Sequence, residues 1–238
     1  MTSVVAIAKK EFRSYFQSPI AYIFITVFLV LTQWLFFRGF FLINQTTLRD
    51  YFSLVPVVFL IFVPAVTMRL WAEEKKLGTL ELLLTFPVQD WEVVVGKYVA
   101  AFCFVAITVL LTLPLAFTVG GLGHPDAGAM TGGYLGCLLL GASYLAIGLW
   151  ISGLTSNQIV AFILTAVACF ILYILGDPIV LGSIPHFLVP FFANLSMGYH
   201  FDSIGRGVID SRDVLYYLSI IGFFLFLNVR TVESRRWS

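Results

Sequence analysis

Charged residues are scarce in this sequence. Only 11% of its 238 residues are charged, whereas 60% are hydrophobic, and the mean hydropathy is +0.96. About a quarter of the residues of a soluble globular domain are charged, so this composition excludes an ordinary soluble domain. The formal net charge is only +1, so the sequence predicts no basic surface for nucleic acid.

Cysteine and histidine, which supply disulfides and metal ligands, are also rare. The three cysteines are Cys103, Cys137 and Cys169. Each lies in an apolar stretch, which favours packing over disulfide pairing or ligation. The histidines form no ligand cluster. His200 and Asp202 make at most half of a metal site, and we expect an exposed pair of this kind to be solvated.

The sequence has no phosphate-binding loop and no cleavable signal peptide. The Gly96-Lys97 pair is followed by Tyr98 and lacks the upstream glycine of a P-loop, so we expect no bound ATP or magnesium in this chain. Near the amino terminus, three cations precede a hydrophobic run that is too long for a signal peptide and has no small-residue cleavage site after it. The hydrophobic run therefore predicts a membrane-spanning helix, and we interpret the chain as an integral membrane protein.

Long hydrophobic runs dominate the chain instead. We predict an all-α protein with six membrane-spanning helices, each near the ~20 residues needed to cross a bilayer. They cover about 20–43, 51–70, 97–119, 133–154, 157–176 and 214–230. With the amino terminus inside, ten basic residues lie on the cytoplasmic side and four on the outer side. The positive-inside rule therefore predicts that both termini are cytoplasmic. We expect the protein to be integral to the plasma (inner) membrane.

The spans are flanked by two special segments. Residues 1–18 are predicted to form an amphipathic helix on the cytoplasmic leaflet, in contact with membrane lipid, because the apolar residues of 4–16 share one face. Within the predicted outer segment 177–213, residues 177–200 are apolar but contain Pro178, Pro185 and Pro190, which argues against one continuous spanning helix. We expect two short helices that enter the membrane from the outer side and return.

The fourth predicted span is rich in small residues. They are spaced four apart, at Gly132 and Gly136, Ala142 and Ala146, and Gly148 and Ser152. Such spacing lets helix backbones approach closely in lipid. We expect these residues to pack inside one subunit rather than to form a dimer contact.

The most informative segment is the polar break at 71–96, which separates the second and third predicted spans. Its core, LGTLELLLTFPV, places a short leucine-rich helix at Leu80–Phe86, which Pro87 ends. Two turns cannot cross a bilayer. The leucines share one side of the helix and Glu81 lies on the other. This pattern is typical of a surface that a partner grips on the water side; the alternative is a hairpin loop lying on the membrane interface.

At these residues the sequence resembles a known family. The run EEKKLGTLELLLTFPV followed by WEVVVGKY is similar to the coupling-helix segment of ABC-2 type transporter permeases. It resembles in particular the subgroup named for gliding motility, to which nitrous-oxide-reductase maturation permeases are similar. The opening KKEFRSYFQSPIAY and the ending LNVRTVESRRW resemble that subgroup too, so the resemblance covers nearly all of a single transmembrane domain, 1–238.

The resemblance implies a permease driven by a separate ABC ATPase, which binds the ATP and magnesium. It also implies short outer helices before the last span and a second permease copy or a paralogue. Force from the ATPase would enter through Gly78 to Phe86. The residues implied in this coupling are Glu73, Glu74, Gly78, Thr79, Leu80, Glu81, Leu83, Leu84 and Phe86.

Two further expectations concern what the permease moves. Thr26, Gln33 and Thr67 are candidates for lining a substrate cavity, although such side chains often bond their own helix. A rival interpretation is a mechanotransmitter that drives an outer-side auxiliary protein and passes no solute. An ion-coupled secondary transporter is disfavoured, because no acidic residue lies in the middle of a predicted span.

Overall fold

The computed structural model describes residues 3–43, 47–79, 88–123, 126–207 and 210–236. Within these ranges the chain is helical and contains no strand. The helices are α1 (Ser3–Gln17), α2 (Pro19–Ile43), α3 (Arg49–Thr67), α4 (Ala72–Leu77), α5 (Asp90–Leu110), α6 (Leu113–Leu122), α7 (Ala127–Leu154), α8 (Gln158–Ile174), α9 (Pro178–Gly182), α10 (Val189–Leu195), α11 (Met197–Gly205) and α12 (Ser211–Arg236). The predicted all-α class is confirmed.

Five helical stretches are long and apolar enough to cross a membrane. They are Pro19–Phe40, Arg49–Leu77, Asp90–Leu122, Ala127–Leu154 and Ser211–Ser234. The span predicted at 157–176 is the apolar helix α8, which is shorter, at 17 residues. The total of six spans therefore stays a prediction.

Helix α7 lies at the centre of the molecule and packs against α3, α5, α8, α11 and α12. Its glycines allow these approaches. A Cβ atom at Gly133 would lie 2.3 Å from the ring of Phe52 in α3. At Gly148 it would lie 2.3 Å from Oγ1 of Thr67, also in α3. The small residues of this helix therefore make close contacts within the chain, as the sequence predicted.

Aromatic rings fill the space between α2, α3 and α5. The ring of Phe28 in α2 lies 4.9 Å from that of Phe62 in α3, and Phe62 lies 6.3 Å from Phe104 in α5, measured between centroids. Phe28 and Phe104 are fully buried. Ring pairs at these distances add to the stabilisation from buried area, so this cluster fixes the three helices to one another.

Helix α5 begins seven residues earlier than the predicted third span, at Asp90 rather than at 97. The carboxylate of Glu92 accepts a hydrogen bond from the backbone N–H of Gln89 at 3.2 Å, which caps this early start. The helix is interrupted at its other end. Leu111 and Thr112 form a turn, and Pro114 lies in the first turn of α6. Since proline has no N–H to donate, it favours a new helix start here.

The outer segment 177–213 contains three short helices, α9 to α11, where two were predicted. The additional helix arises at Ser196, whose hydroxyl accepts a hydrogen bond from the N–H of Tyr199 and thereby starts α11. Asp210 accepts from the N–H of Arg212 at 2.9 Å and starts α12. Whether this segment enters the membrane stays a prediction.

Candidate functional site

The candidate site is the base of the polar break between α3 and α5. Five of the residues predicted to couple to the ATPase lie outside the described residues: Leu80, Glu81, Leu83, Leu84 and Phe86. Glu73 and Glu74 lie in α4, and Gly78 and Thr79 follow it directly. The geometry around α4 therefore defines how the chain enters and leaves the predicted coupling segment.

Lys97 is the centre of this site. Its side chain is 1% exposed, and its ammonium donates to Glu74 Oε1 at 2.6 Å, to Glu11 Oε1 at 3.2 Å and to the carbonyl of Leu70 at 3.2 Å. It also lies 5.0 Å from the ring centroid of Trp71, which is a cation–π distance. One buried cation thus joins α1, the end of α3, α4 and α5.

A second contact fixes the corner between α3 and α4 to α7. The hydroxyl of Ser152 accepts hydrogen bonds from the N–H groups of Trp71 and Ala72 at 3.2 and 3.1 Å. The same hydroxyl donates to the carbonyl of Met68 at 3.2 Å. These bonds satisfy backbone groups that the ends of two helices leave unpaired.

Helix α4 itself is held at both ends. Lys75 donates to the carbonyl of Gly153 at the end of α7. Glu73 pairs with Arg69 at 2.7 Å, one turn earlier. Gly78 has φ of +69°, a left-handed conformation that glycine adopts freely, and its N–H bonds to carbonyls of the last turn of α4. Glycine therefore ends α4 just before the predicted coupling helix.

Helix α1 packs directly on α5 at Gly96, next to Lys97. A Cβ at Gly96 would lie 2.7 Å from Cγ2 of Ile7, so only glycine permits this approach. The carboxylate of Glu11, one helical turn further along α1, is thereby placed on the Lys97 ammonium. Helices α1 and α4 therefore contact the same side chain, Lys97.

The sequence analysis missed Lys97 and Ser152 as parts of this site. In the sequence Lys97 was considered only as part of the Gly96-Lys97 pair and as one of the cytoplasmic basic residues, and Ser152 only as a small residue of the fourth span. A lysine that begins an otherwise apolar stretch was the one available signal, because such a cation needs a partner when it is buried. Glu73 and Glu74, predicted to contact the ATPase, have partners within the chain; their role as ATPase contacts stays a prediction.

The three cavity-lining candidates do not come together. Thr26 is exposed on α2, Gln33 is half-buried, and Thr67 is buried with its hydroxyl donating to the carbonyl of Pro64 in its own helix. A cleft of about 290 Å³ lies beside Lys97 and Glu74, between α1, α2, α3 and α4, and none of the three candidates lines it. Their role in a substrate cavity stays a prediction.

Helices α11 and α12 share a buried histidine–aspartate contact, where the sequence predicted solvated groups. His200 is 7% exposed, and its Nδ1 lies 2.6 Å from Oδ1 of Asp213, while its Nε2 lies 3.0 Å from the carbonyl oxygen of Asn194. Asp202, the residue considered as its metal-site companion, is exposed. The expectation of a solvated His200 is therefore wrong, because α12 brings Asp213 against α11.

Three side chains of α12 hold the junction between α10 and α11. Asp213 acts through His200, and the hydroxyls of Tyr216 and Tyr217 donate to the carbonyls of Leu195 and Met197 at 2.5 and 2.7 Å. No group of three or more metal-ligating side chains occurs in the part of the chain that the structure describes. This outer cluster is thus a structural contact between helices.

Comparisons with known proteins agree with the membrane architecture. A family model described as "ABC-2 family transporter protein" matches residues 5–204. The chain is 35% identical over 111 residues to the probable multidrug ABC transporter permease YbhR of Escherichia coli strain K12, and equally to the protein of that name from Escherichia coli O157:H7. The match covers 47% of this chain, and the chain covers only 30% of the length of these curated relatives.

Proposed function

Because the chain belongs to the ABC-2 family of transporter proteins, we propose that it is a permease subunit that moves a solute across the membrane with energy from a separate ATPase chain. The ATP and its magnesium ion would be bound by that ATPase. Two permease subunits, either two copies of this chain or this chain and a paralogue, would enclose the pathway. Both relatives are named as permeases, which supports solute transport over the mechanotransmitter alternative.

The observation that carries the proposal is the set of contacts at the base of the polar break. Lys97 and Ser152 connect α4 and the end of α3 to α1, α5 and α7. A force applied to residues 80–87 by an ATPase would therefore reach several spanning helices together. The leucines at 80, 83 and 84 would supply the apolar contact, with Glu73, Glu74 and Glu81 as polar neighbours.

The membrane arrangement belongs to the same proposal. We count α8 as a sixth span, because 17 residues lie at the short end of the range that crosses a bilayer. The distribution of basic residues supports cytoplasmic termini and an inner-membrane location. The gliding-motility subgroup rests on the sequence resemblance alone.

Single-cysteine labelling tests this orientation. In a variant whose three native cysteines are replaced by alanine, cysteines at Ser3 or Lys76 should be shielded from an impermeant thiol reagent in intact cells. Cysteines at Asp126 or Asp202 should react, because both residues are exposed and lie on the predicted outer side. Permeabilised cells serve as the control, in which all four positions should react. Labelling at Lys76 in intact cells would reverse the proposed orientation.

Docking of the ATPase is tested by Leu83→Asp and Leu84→Asp. Burial of a leucine side chain stabilises by about 1.5–3 kcal/mol, and a charge in an apolar groove costs several kcal/mol, so each variant should lose the ATPase. Glu81→Gln should have a smaller effect, because a rim ion pair contributes only ~0–1 kcal/mol. The measurement is co-purification of the ATPase from membranes, after size-exclusion chromatography confirms that each variant is inserted and folded. Wild-type recovery with both leucine variants would show that this segment does not dock the ATPase.

A further inference from the structure

The cleft beside α1 has two chemically different walls. It encloses about 290 Å³ between α1, the start of α2, the end of α3 and α4. One wall is apolar and contains Ile20, Phe24, Val66 and Leu70. The other wall carries three cations and three carboxylates, which are Lys10, Arg69, Lys97, Glu11, Glu73 and Glu74. The cleft is thus suited to an amphiphile rather than to a fully polar solute.

The charged wall is neutral in sum, which restricts the head group. Arg69 pairs with Glu73, and Lys97 pairs with Glu11 and Glu74. Three positive and three negative charges leave no net charge to attract an anion or a cation by itself. A ligand that carries both signs matches this wall best.

Hydrogen-bonding groups without a partner in the cleft also favour a ligand that carries both signs of charge. Among the described residues, Lys10 and Ser14 are exposed, form no hydrogen bond or ion pair within the chain, and line the cleft as available donors. The buried hydroxyl of Tyr15 and the buried Oε2 of Glu74 also lack partners, and both residues line the cleft. Burial raises the pKa of Tyr15, so its hydroxyl stays a neutral donor. Buried polar atoms are nearly always paired, so a bound group that both accepts and donates would complete the site.

The position of the cleft identifies the source of such a ligand. Helix α2 enters its apolar stretch at Pro19, so Ile20 and Phe24 lie at the start of a candidate span. The same helix exposes Ile23 and Val27 directly beyond the cleft. An acyl chain can therefore follow the lipid-facing side of α2 while its head group remains among the charges, as expected at a membrane interface.

We propose that this cleft binds one phospholipid whose zwitterionic head group carries a primary ammonium, as in phosphatidylethanolamine. Lys10 and Ser14 hold the phosphate oxygens, and Glu74, with Glu11 beside it, accepts from the ammonium. A choline head group fails here, because a quaternary ammonium has no N–H to donate. The site rests on the membrane placement given under the proposed function. The lipid would contact α1 and the α3–α4 corner at once, next to the coupling segment.

Native mass spectrometry of the purified full chain tests the site with two synthetic lipids of identical acyl chains, phosphatidylethanolamine and phosphatidylcholine. The wild type should retain one phosphatidylethanolamine at least about tenfold more tightly than phosphatidylcholine. Lys10→Gln combined with Ser14→Ala should weaken the retention of phosphatidylethanolamine several-fold, because these two side chains hold its phosphate. Lys9→Gln is the matched control and should leave it unchanged, because Lys9 is an exposed neighbour that does not line the cleft.

Three results would overturn the proposal. The first is equal retention of the two lipids. The second is tighter retention of phosphatidylglycerol, which would indicate simple attraction to surface cations. The third is equal lipid retention by the Lys10/Ser14 variant and the Lys9 variant. Glycerophosphoethanolamine, which has no acyl chain, should not compete; competition by it would show a soluble-phosphate site instead. ATPase co-purification is measured on the same variants. A variant that loses the lipid but still co-purifies with the ATPase would show that the lipid site can fail while the proposed permease function stands.

Discussion

Replacing Lys97 by methionine should lower the free energy of unfolding by about 3–5 kcal/mol, the cost of leaving buried charges without their partner. Methionine keeps the length of the side chain, so the packing against Trp71 is largely retained. What is lost is the ammonium between Glu11 and Glu74, which then face each other at the buried position. Thermal unfolding in detergent should show a midpoint lower by roughly 10 °C.

The control for this variant is Lys76→Met. Lys76 lies on the same helix as Glu74 but is exposed, so its loss should change the midpoint little. Combining Lys97→Met with Glu11→Gln and Glu74→Gln should restore much of the stability, because no uncompensated charge then remains. Equal midpoints for the two lysine variants, or no recovery in the triple variant, would contradict the role assigned to this cation.

Gly132→Ala should be the most damaging single-methyl change in α7. The new Cβ would lie 2.4 Å from the carbonyl oxygen of Ile204 and 3.2 Å from Cα of Gly207, both backbone atoms at the end of α11. Backbone cannot rotate away as a side chain can, so the two helices must separate. Overpacking of this kind costs about 1–3 kcal/mol. The measurement is the unfolding transition in a titration with denaturing detergent, which should occur at a lower detergent fraction than in the wild type.

Gly222→Ala is the matched control for that change. Gly222 lies inside α12 and is exposed, and a Cβ there meets nothing within 4 Å. Alanine should therefore stabilise by about 0.5–1 kcal/mol through its better helix propensity. The two glycine variants should shift the transition in opposite directions. A shift in the same direction would show that the close contact between α7 and α11 is absent.

The spanning helices were predictable because composition and length decide them. Runs of about 20 apolar residues leave few alternatives in a chain with so little charge. The ends were harder to place. The start of α5 at Asp90 depends on the hydrogen bond from the N–H of Gln89 to the carboxylate of Glu92. A hydropathy profile contains no information about such a bond. The same limit explains the third short helix on the outer side.

The candidate site was only partly predictable, because its contacts join residues that are far apart in the sequence. Glu11 and Lys97 are separated by 86 residues, and Ser152 and Trp71 by 81. Helical periodicity reports which face of one helix is apolar but does not identify the residue opposite. His200 was placed in solvent for the same reason, since Asp213 reaches it from the next helix.

The interruption between α5 and α6 affects how the protein fits a bilayer of given thickness. As one straight helix, Asp90–Leu122 would be roughly 50 Å long, about 20 Å more than the hydrocarbon layer. Helix α5 alone is about 32 Å long, which is close to the thickness of that layer. The turn at Leu111 and Thr112 separates α5 from the apolar α6, whose exposed Phe117 is suited to contact with lipid. Membranes that differ by a few ångströms in thickness should therefore change the angle between α5 and α6 rather than expose apolar surface to water.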